Sequence, residues 1–199
     1  MSLATPRFDP APASFDVDAF AGLEVASIAR GLVCVDALVK KAASRVVMAR
    51  PVSPGKFLLL IDGPVAEVEE SLNEAERIAG DSVIDRFLLP YAHAQVEPAV
   101  FGRYPDRVDG AMGIVETATT CSGIRAADAA CKAAEVRLQV LHLSVGIGGK
   151  SFFAFSGDLF DVQAGVAAAL DAGGAKVLTT EVIANPHPEF LDAIGLSLL

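Results

Sequence analysis

The chain has 199 residues, a net charge of −9 and 52% hydrophobic residues, with no Trp and two Tyr. A protein that grips nucleic-acid backbones carries a basic face, and this acidic chain has no Lys/Arg run to form one. No apolar run approaches the roughly 18 residues of a membrane span, and an odd set of cysteines (Cys34, Cys121, Cys131) with no CxxC argues against a disulfide framework.

The start of the chain has neither the basic nor the apolar region of a secretory signal, so none is expected, and the cysteine usage suits a reducing cytosol. Residues Met1 to Ala21 hold Pro, Asp and Phe without period and read as an extended arm. Gly22 to Ala29 alternates like a strand. Gly31 breaks it, and Leu32 to Ala42 places Leu32, Val35, Leu38 and Val39 on one helical face. Arg45 to Ala49 is rich in β-formers. Pro51 to Gly55 suits neither helix nor ladder and reads as a loop. Phe57 to Ile61 is a buried strand. A helix opens at Gly63-Pro64, with Pro in its first turn and Glu67, Glu69 and Glu70 where the helix dipole favours acids. It runs to about Ala79, where Gly80 stops it. Val83 to Leu89 is a last strand, and Pro90 to Phe101 a short terminal segment.

The turn-rich stretch Gly102 to Gly110 reads as a linker, after which the order repeats. Strands are expected near Gly113 to Thr119, Arg137 to Leu143, Ser151 to Phe155 and Lys176 to Ile183, and helices near Ile124 to Ala134 and Asp158 to Ala172. The repetition is also residue by residue. Glu24, Ala26, Gly31, Asp36, Ala37 and Lys40 recur at one constant spacing as Glu116, Ala118, Gly123, Asp128, Ala129 and Lys132. After a short insertion, Gly55-Lys56, Gly63, Val68 and His93 recur as Gly149-Lys150, Gly157, Val162 and His187. The chain is a tandem duplication of one β-α-β-β-α-β unit. The fold class is therefore α+β with two ferredoxin-like domains. The expected layout is an arm (1–21), a first domain (22–101), a linker (102–111) and a second domain (112–199). So much apolar content in small domains implies burial against other subunits.

The motifs that suggest chemistry have plainer accounts. The stretch Ser144 to Ser151 lacks the first Gly of a phosphate loop and feeds a strand rather than a helix, so it reads as a glycine-rich turn. His93 and His187 share a repeat position, and His142 stands alone on a strand. With no further ligands at short spacing, these read as hydrogen-bonded structural histidines rather than a metal set. No catalytic triad or carboxylate pair stands out. Lys40 and Lys132 each follow an Asp by four residues, the spacing of an ion pair. Their recurrence near a helix end also suits an interface lysine.

Taken together, GLEVASIARG, the DALVK and DAACK segments, RPVSPGK, GIGGKSFFAFSGD, GPVAEVEES and NPHPEF resemble the tandem-domain shell proteins of bacterial microcompartments (BMC), in their trimeric, unpermuted type. The resemblance spans about Gly22 to Gly195. It implies that three chains form a pseudohexameric homotrimer that tiles shell facets in the cytoplasm beside hexameric and pentameric shell components, with no membrane or nucleic-acid partner. It implies edge contacts at Lys40, Lys132, His93, Asn185, Pro186, His187 and Pro188, though the first copy has Tyr91-Ala92-His93 where the second has Pro-His-Pro. It also implies a central pore for small polar metabolites, lined by Val52, Ser53, Pro54 and Gly55 and by Ile147, Gly148 and Gly149. Some relatives hold an iron–sulfur cluster there on a cysteine. This chain has Ser53 at that position, so no metal, cofactor or catalytic role is expected. The rival reading from pattern alone is a regulatory small-molecule binder built from paired ferredoxin-like domains; a third, an enzyme with a site at a subunit junction, lacks the acid/base set it needs.

Overall fold

The computed structural model describes residues 18–106, 110–187 and 189. In the first half, β1 (Ala19–Val25), α1 (Ile28–Lys41), β2 (Arg45–Val52), β3 (Lys56–Gly63), α2 (Val65–Ala79) and β4 (Val83–Pro90) follow one another. A short helix, α3 (Val96–Val100), leads out of it. The second half repeats the order as β5 (Ala111–Thr117), α4 (Thr120–Ala133), β6 (Arg137–His142), β7 (Ser151–Gly157), α5 (Leu159–Gly173) and β8 (Val177–Ile183). Each half is an antiparallel four-stranded sheet, ordered β2-β3-β1-β4 and β6-β7-β5-β8. This is the expected α+β architecture of two tandem ferredoxin-like domains.

Several boundaries differ from the expectation, each for a local reason. β1 begins at Ala19 rather than Gly22, because Ala19 to Ala21 already pair with Gly63 to Ile61. Both first helices start earlier than expected. Ser27 and Thr119 are their N-caps, each side chain accepting a hydrogen bond from the backbone N–H three residues on, Arg30 and Ser122, at 3.2 Å. β2 runs on through Pro51 and Val52, which shortens the expected loop to a tight turn; β2 lies at the sheet edge, where a proline costs no ladder bond. The paired glycines follow from packing. A Cβ on Gly31 would lie 2.4 Å from the Phe57 ring, and one on Gly123 would lie 2.7 Å from Ser151 Oγ, so the helix can reach its sheet only through glycine.

The largest departure concerns α1. Its buried face is Gly31, Cys34 and Leu38, with Val35 packed against the same core; of the expected stripe Leu32, Val35, Leu38 and Val39, it is Leu32 and Val39 that face outward. Leu32 is 58% exposed, Val33 50% and Val39 49%, with Ile28 beside them. The equivalent helix α4 is buried almost all round, at Thr120, Cys121, Ile124, Ala126, Ala127, Ala130 and Cys131 among others. It lies between α5 and its own sheet on one side and β4 of the first domain on the other. One core accordingly runs through both halves, from Phe20, Leu58 and Phe87 to Ile124, Phe153 and Phe155. The first domain has a second core of its own under α1 and α2, around Leu23, Leu38, Ile61 and Leu72.

The short helix α3 is tied down by charge. On β2, Arg45 forks onto the fully buried Asp62 of β3, with Nε 2.8 Å from Oδ1, and reaches Glu97 of α3 at 3.1 Å. Burial, and then the charge of Asp62, push the Glu97 carboxyl above its ordinary value, against the pull of Arg45. The folded chain thus holds this proton at a pH where the unfolded chain has lost it, and the group's contribution to stability falls as pH rises through that window. We expect Glu97→Gln to flatten this fall in urea titrations across the mildly acidic range. A wild-type slope that survives the substitution would contradict the assignment.

Candidate functional site

The loops expected to line a pore do meet within one chain. The β2–β3 turn, Ser53 to Gly55, lies against the β6–β7 loop. Ser53 N–H donates to Ser144 O at 3.1 Å, and Gly146 N–H donates to Ser53 Oγ at 2.9 Å. The loop backbone takes left-handed angles at Ser144, Gly146, Gly148 and Gly149, which glycine adopts without strain. At Gly149 a Cβ would also lie 2.7 Å from Pro54 Cδ and 3.0 Å from Ser53 O, so the contact between the loops requires glycine there. Pro54, Gly55 and Gly148 are exposed and Ile147 is partly so. Val52 stands apart from the expected lining: its side chain is buried in the core, leaving only its backbone for the loop surface.

Behind the loops sits a charged link that the sequence reading did not assign. Glu24 of β1 is wholly buried. Its Oε1 accepts from Lys56 Nζ at 2.7 Å, and its Oε2 accepts from Thr120 N–H at 2.8 Å, in the first turn of α4. The carboxylate thereby joins a lysine of its own domain to the helix N-terminus of the next, where the dipole favours negative charge. Lys56 Nζ also approaches Gly149 O at 3.5 Å. The signal was present in the recurrence of Glu24 and Lys56 as Glu116 and Lys150. That second pair is intact at 3.0 Å, but it is more exposed and, among the described residues, accepts from no helix N-terminus.

The candidate edge residues show the same asymmetry. Lys132 pairs with Asp128 at 2.7 Å, and Asp128 is 5% exposed because its other oxygen accepts from His93 N–H at 2.7 Å. The structure therefore brings Lys132 and His93 together, beside Cys131 and Arg137 in a shallow polar cleft. Lys40 pairs with Asp36 at 2.6 Å, but Asp36 is 62% exposed and meets no histidine. His187 is exposed with Asn185, away from both pairs, while Pro188 lies outside the described residues. In both histidines the ring Nδ1 accepts from the backbone N–H two residues on, Gln95 at 3.4 Å and Glu189 at 3.2 Å, which leaves the ring proton on Nε2.

One more pair was not foreseen. Arg50 faces Leu58 across the β2–β3 ladder and His142 faces Phe152 across β6–β7, the same ladder position in the two domains. The His142 ring stacks on Phe152 at 5.4 Å and 11°. Arg50 Nε and His142 Nδ1 are both buried without a hydrogen-bond partner among the described residues.

The three cysteines are buried thiols. Burial pushes Cys131 up to about 12 and holds Cys121 well above its usual range, and Cys34 donates to Ala75 O at 3.3 Å. Among the described residues no His/Cys/Asp/Glu cluster could hold a metal ion. Ser53 Oγ, at the position where some relatives carry cysteine, is engaged by Gly146. Also among them, no helix is long and apolar enough to cross a membrane.

The chain is also similar to known proteins. A family model described as the BMC domain matches residues 19–92 and again 111–186. The bacterial microcompartment shell protein PduT of Citrobacter freundii is 39% identical over 167 residues, covering 83% of this chain and 91% of that one. The carboxysome shell protein CcmK2 of Thermosynechococcus vestitus is 41% identical over 81 residues, covering 39% of this chain and 78% of that one. The crystal structure of a microcompartment protein from Desulfitobacterium hafniense superposes with a TM-score of 0.78 at 38% identity, over 87% of this chain and 98% of that one.

The charged link predicts an asymmetric response to mutation. Removing the lysine of a buried pair strands its carboxylate, so Lys56→Met should cost about 3–5 kcal/mol in urea unfolding. A loss below about 1 kcal/mol, the range of a solvated surface pair, would show that Glu24 does not depend on Lys56.

Proposed function

The chain belongs to the BMC-domain family of bacterial microcompartment shell proteins, and from that premise we propose that it assembles as a homotrimeric pseudohexamer that tiles shell facets and carries a central pore. The observation that supports this is the unequal burial of two equivalent helices. Inside the chain, α4 covers its outer face with β4 of the preceding domain. α1 presents the equivalent apolar face, Ile28, Leu32, Val33 and Val39, to solvent. The equivalent of β4 is β8, and it exposes Leu178 and Val182. The two open surfaces are thus the two halves of a contact the chain already makes with itself. Repeating that contact between chains is a head-to-tail association, which closes into a ring when its rotation permits. Three chains supply six domains.

The polar contacts follow the same template. His93 N–H meets Asp128 within the chain, so His187 of one chain would meet Asp36 of the next. Glu24 receives Thr120 N–H, so Glu116 would receive Ile28 N–H of a neighbour. This removes exposed charge and apolar area at once. The rim then presents Lys40 and Lys132 with His93, Asn185, Pro186 and His187, the edge by which discs would meet each other and hexameric shell proteins. Pentameric components would close the shell, which sits in the cytoplasm.

The loops at Ser53–Gly55 and Ile147–Gly149 gather at the ring's centre in this arrangement. Ser53 Oγ accepts from Gly146 and keeps its own proton to donate. A ring of such hydroxyls and loop backbone groups passes small polar metabolites and holds no metal firmly. The proposal assigns the chain no catalytic step.

Sedimentation and electron microscopy test this reading. Wild type should sediment as three chains and form flat sheets when concentrated. Leu32→Asp with Val33→Asp, both exposed in the single chain, should give folded single chains. Lys40→Asp with Lys132→Asp should keep the trimer and lose the sheets. A wild-type protein that stays as one or two chains and never tiles, alone or with hexameric partners, would overturn the proposal.

A further inference from the structure

Arg50 and His142 are brought to one place by the duplication. They hold the same ladder position in β2 and β6, and the two strands join three residues beyond Arg50, where Ser53 N–H meets Ser144 O. Arg50 is part-buried, and its Nε is buried with no acceptor among the described residues. Among the described residues no carboxylate is ion-paired with it; burial alone accounts for the lowering of its proton affinity. The His142 ring is pinned flat on Phe152 with its Nδ1 buried and unpartnered. Its proton affinity is lowered by burial and then by the charge of Arg50.

Such an arrangement is incomplete by itself. A buried Nε–H without an acceptor, on a part-buried cation with no ion-pair partner among the described residues, is retained at a cost that an anion would remove. A water molecule could take the hydrogen bonds but would leave the charge uncompensated. With its proton on Nδ1, His142 would share the need of Arg50 Nε for an acceptor. We propose that Arg50 and His142 form a binding site for a small oxoanion, a carboxylate or a phosphate, at the domain junction next to the Ser53 and Ser144 loops. The guanidinium offers Nε–H and an adjacent Nη–H to two oxygens in parallel, the geometry that arginine provides and lysine does not. His142, as the Nδ1–H tautomer or as the imidazolium, donates a third hydrogen bond. The stack on Phe152 fixes the ring plane in advance, which lowers the ordering cost of binding.

The setting sharpens the inference. The whole chain carries a charge of −9, so a general attraction for anions is absent and a local one must come from a dedicated group. That the site receives an anionic metabolite on its way to the loops rests on the pore reading; the site itself needs only one chain.

The test is a titration of the full chain with sodium acetate, with inorganic phosphate and with acetamide, at constant ionic strength. The readouts are the His142 ring resonances and calorimetry. We expect a saturable response to one or both anions and none to acetamide. Arg50→Gln should weaken binding by about tenfold or more, and Arg50→Lys, which keeps the charge but loses the fork, by less. Response to acetate alone would assign a carboxylate ligand, and response to phosphate alone a phosphate. No saturable response, an equal response to acetamide, or unchanged binding in Arg50→Gln would overturn the site. Sedimentation of the same samples separates the two proposals. Binding by a protein that does not trimerise keeps the site and removes its role at a pore. A trimer that binds neither anion removes the site and leaves the pore.

Discussion

The buried carboxylate of Glu24 is the constraint around which the two halves are arranged. A charge with no access to water must be met on every side. Here one oxygen takes the Lys56 ammonium from the first domain and the other takes the first-turn N–H of Thr120 on α4 from the second. The same contact seats α4 against β1 and β4 and draws Lys56 towards Gly149, so that the two loops touch. The orientation of the domains, the burial of α4 and the meeting of the loops are consequences of satisfying one side chain. The geometry is demanding because hydrogen bonds to a buried ion tolerate little displacement.

Duplication gives this link an unequal pair. Glu116 and Lys150 repeat the ion pair, yet among the described residues no second helix N-terminus arrives to complete it. Asp36 repeats Asp128 but meets no histidine, and α1 repeats α4 but finds no strand to cover its outer face. Each deficit on the first domain's helix side has its complement on the second domain's far side. A single chain leaves two complementary surfaces open, which is the basis of the proposal that it joins a closed ring. The Arg50 and His142 pair differs in kind, since its unmet groups lie where the two domains already join.

Much of this was legible in the sequence because the fold is written twice. The recurrence of Gly31 as Gly123 marked the duplication, its close helix–sheet approach being seen only in the structure, and Gly80 recurs structurally at Gly174, both with φ of 54° at a helix C-terminus. Element order followed from the same pattern, whereas the loops were singled out only through the family resemblance. What was missed has definable causes. The outer stripe of α1 is as apolar as the inner one, and periodicity cannot say which stripe faces the chain's own sheet. Pro51 looks like a loop residue until the strand is known to be an edge. Val52 is near the turn, but the alternation of β2 directs it inward. Glu24 and Lys56 are far apart in sequence and carry no motif; only their joint recurrence pointed to a role.

The central claim is that the contact between domains within a chain is the template for the contact between chains. A side-chain-resolution structure of the assembled protein tests it most directly, through the surroundings of Asp36. The account predicts that Asp36 accepts the backbone N–H of a neighbour's His187, as Asp128 accepts that of His93, with Leu32 and Val33 buried against the neighbour's β8. An assembly in which Asp36 and the outer face of α1 remain open to solvent would contradict it.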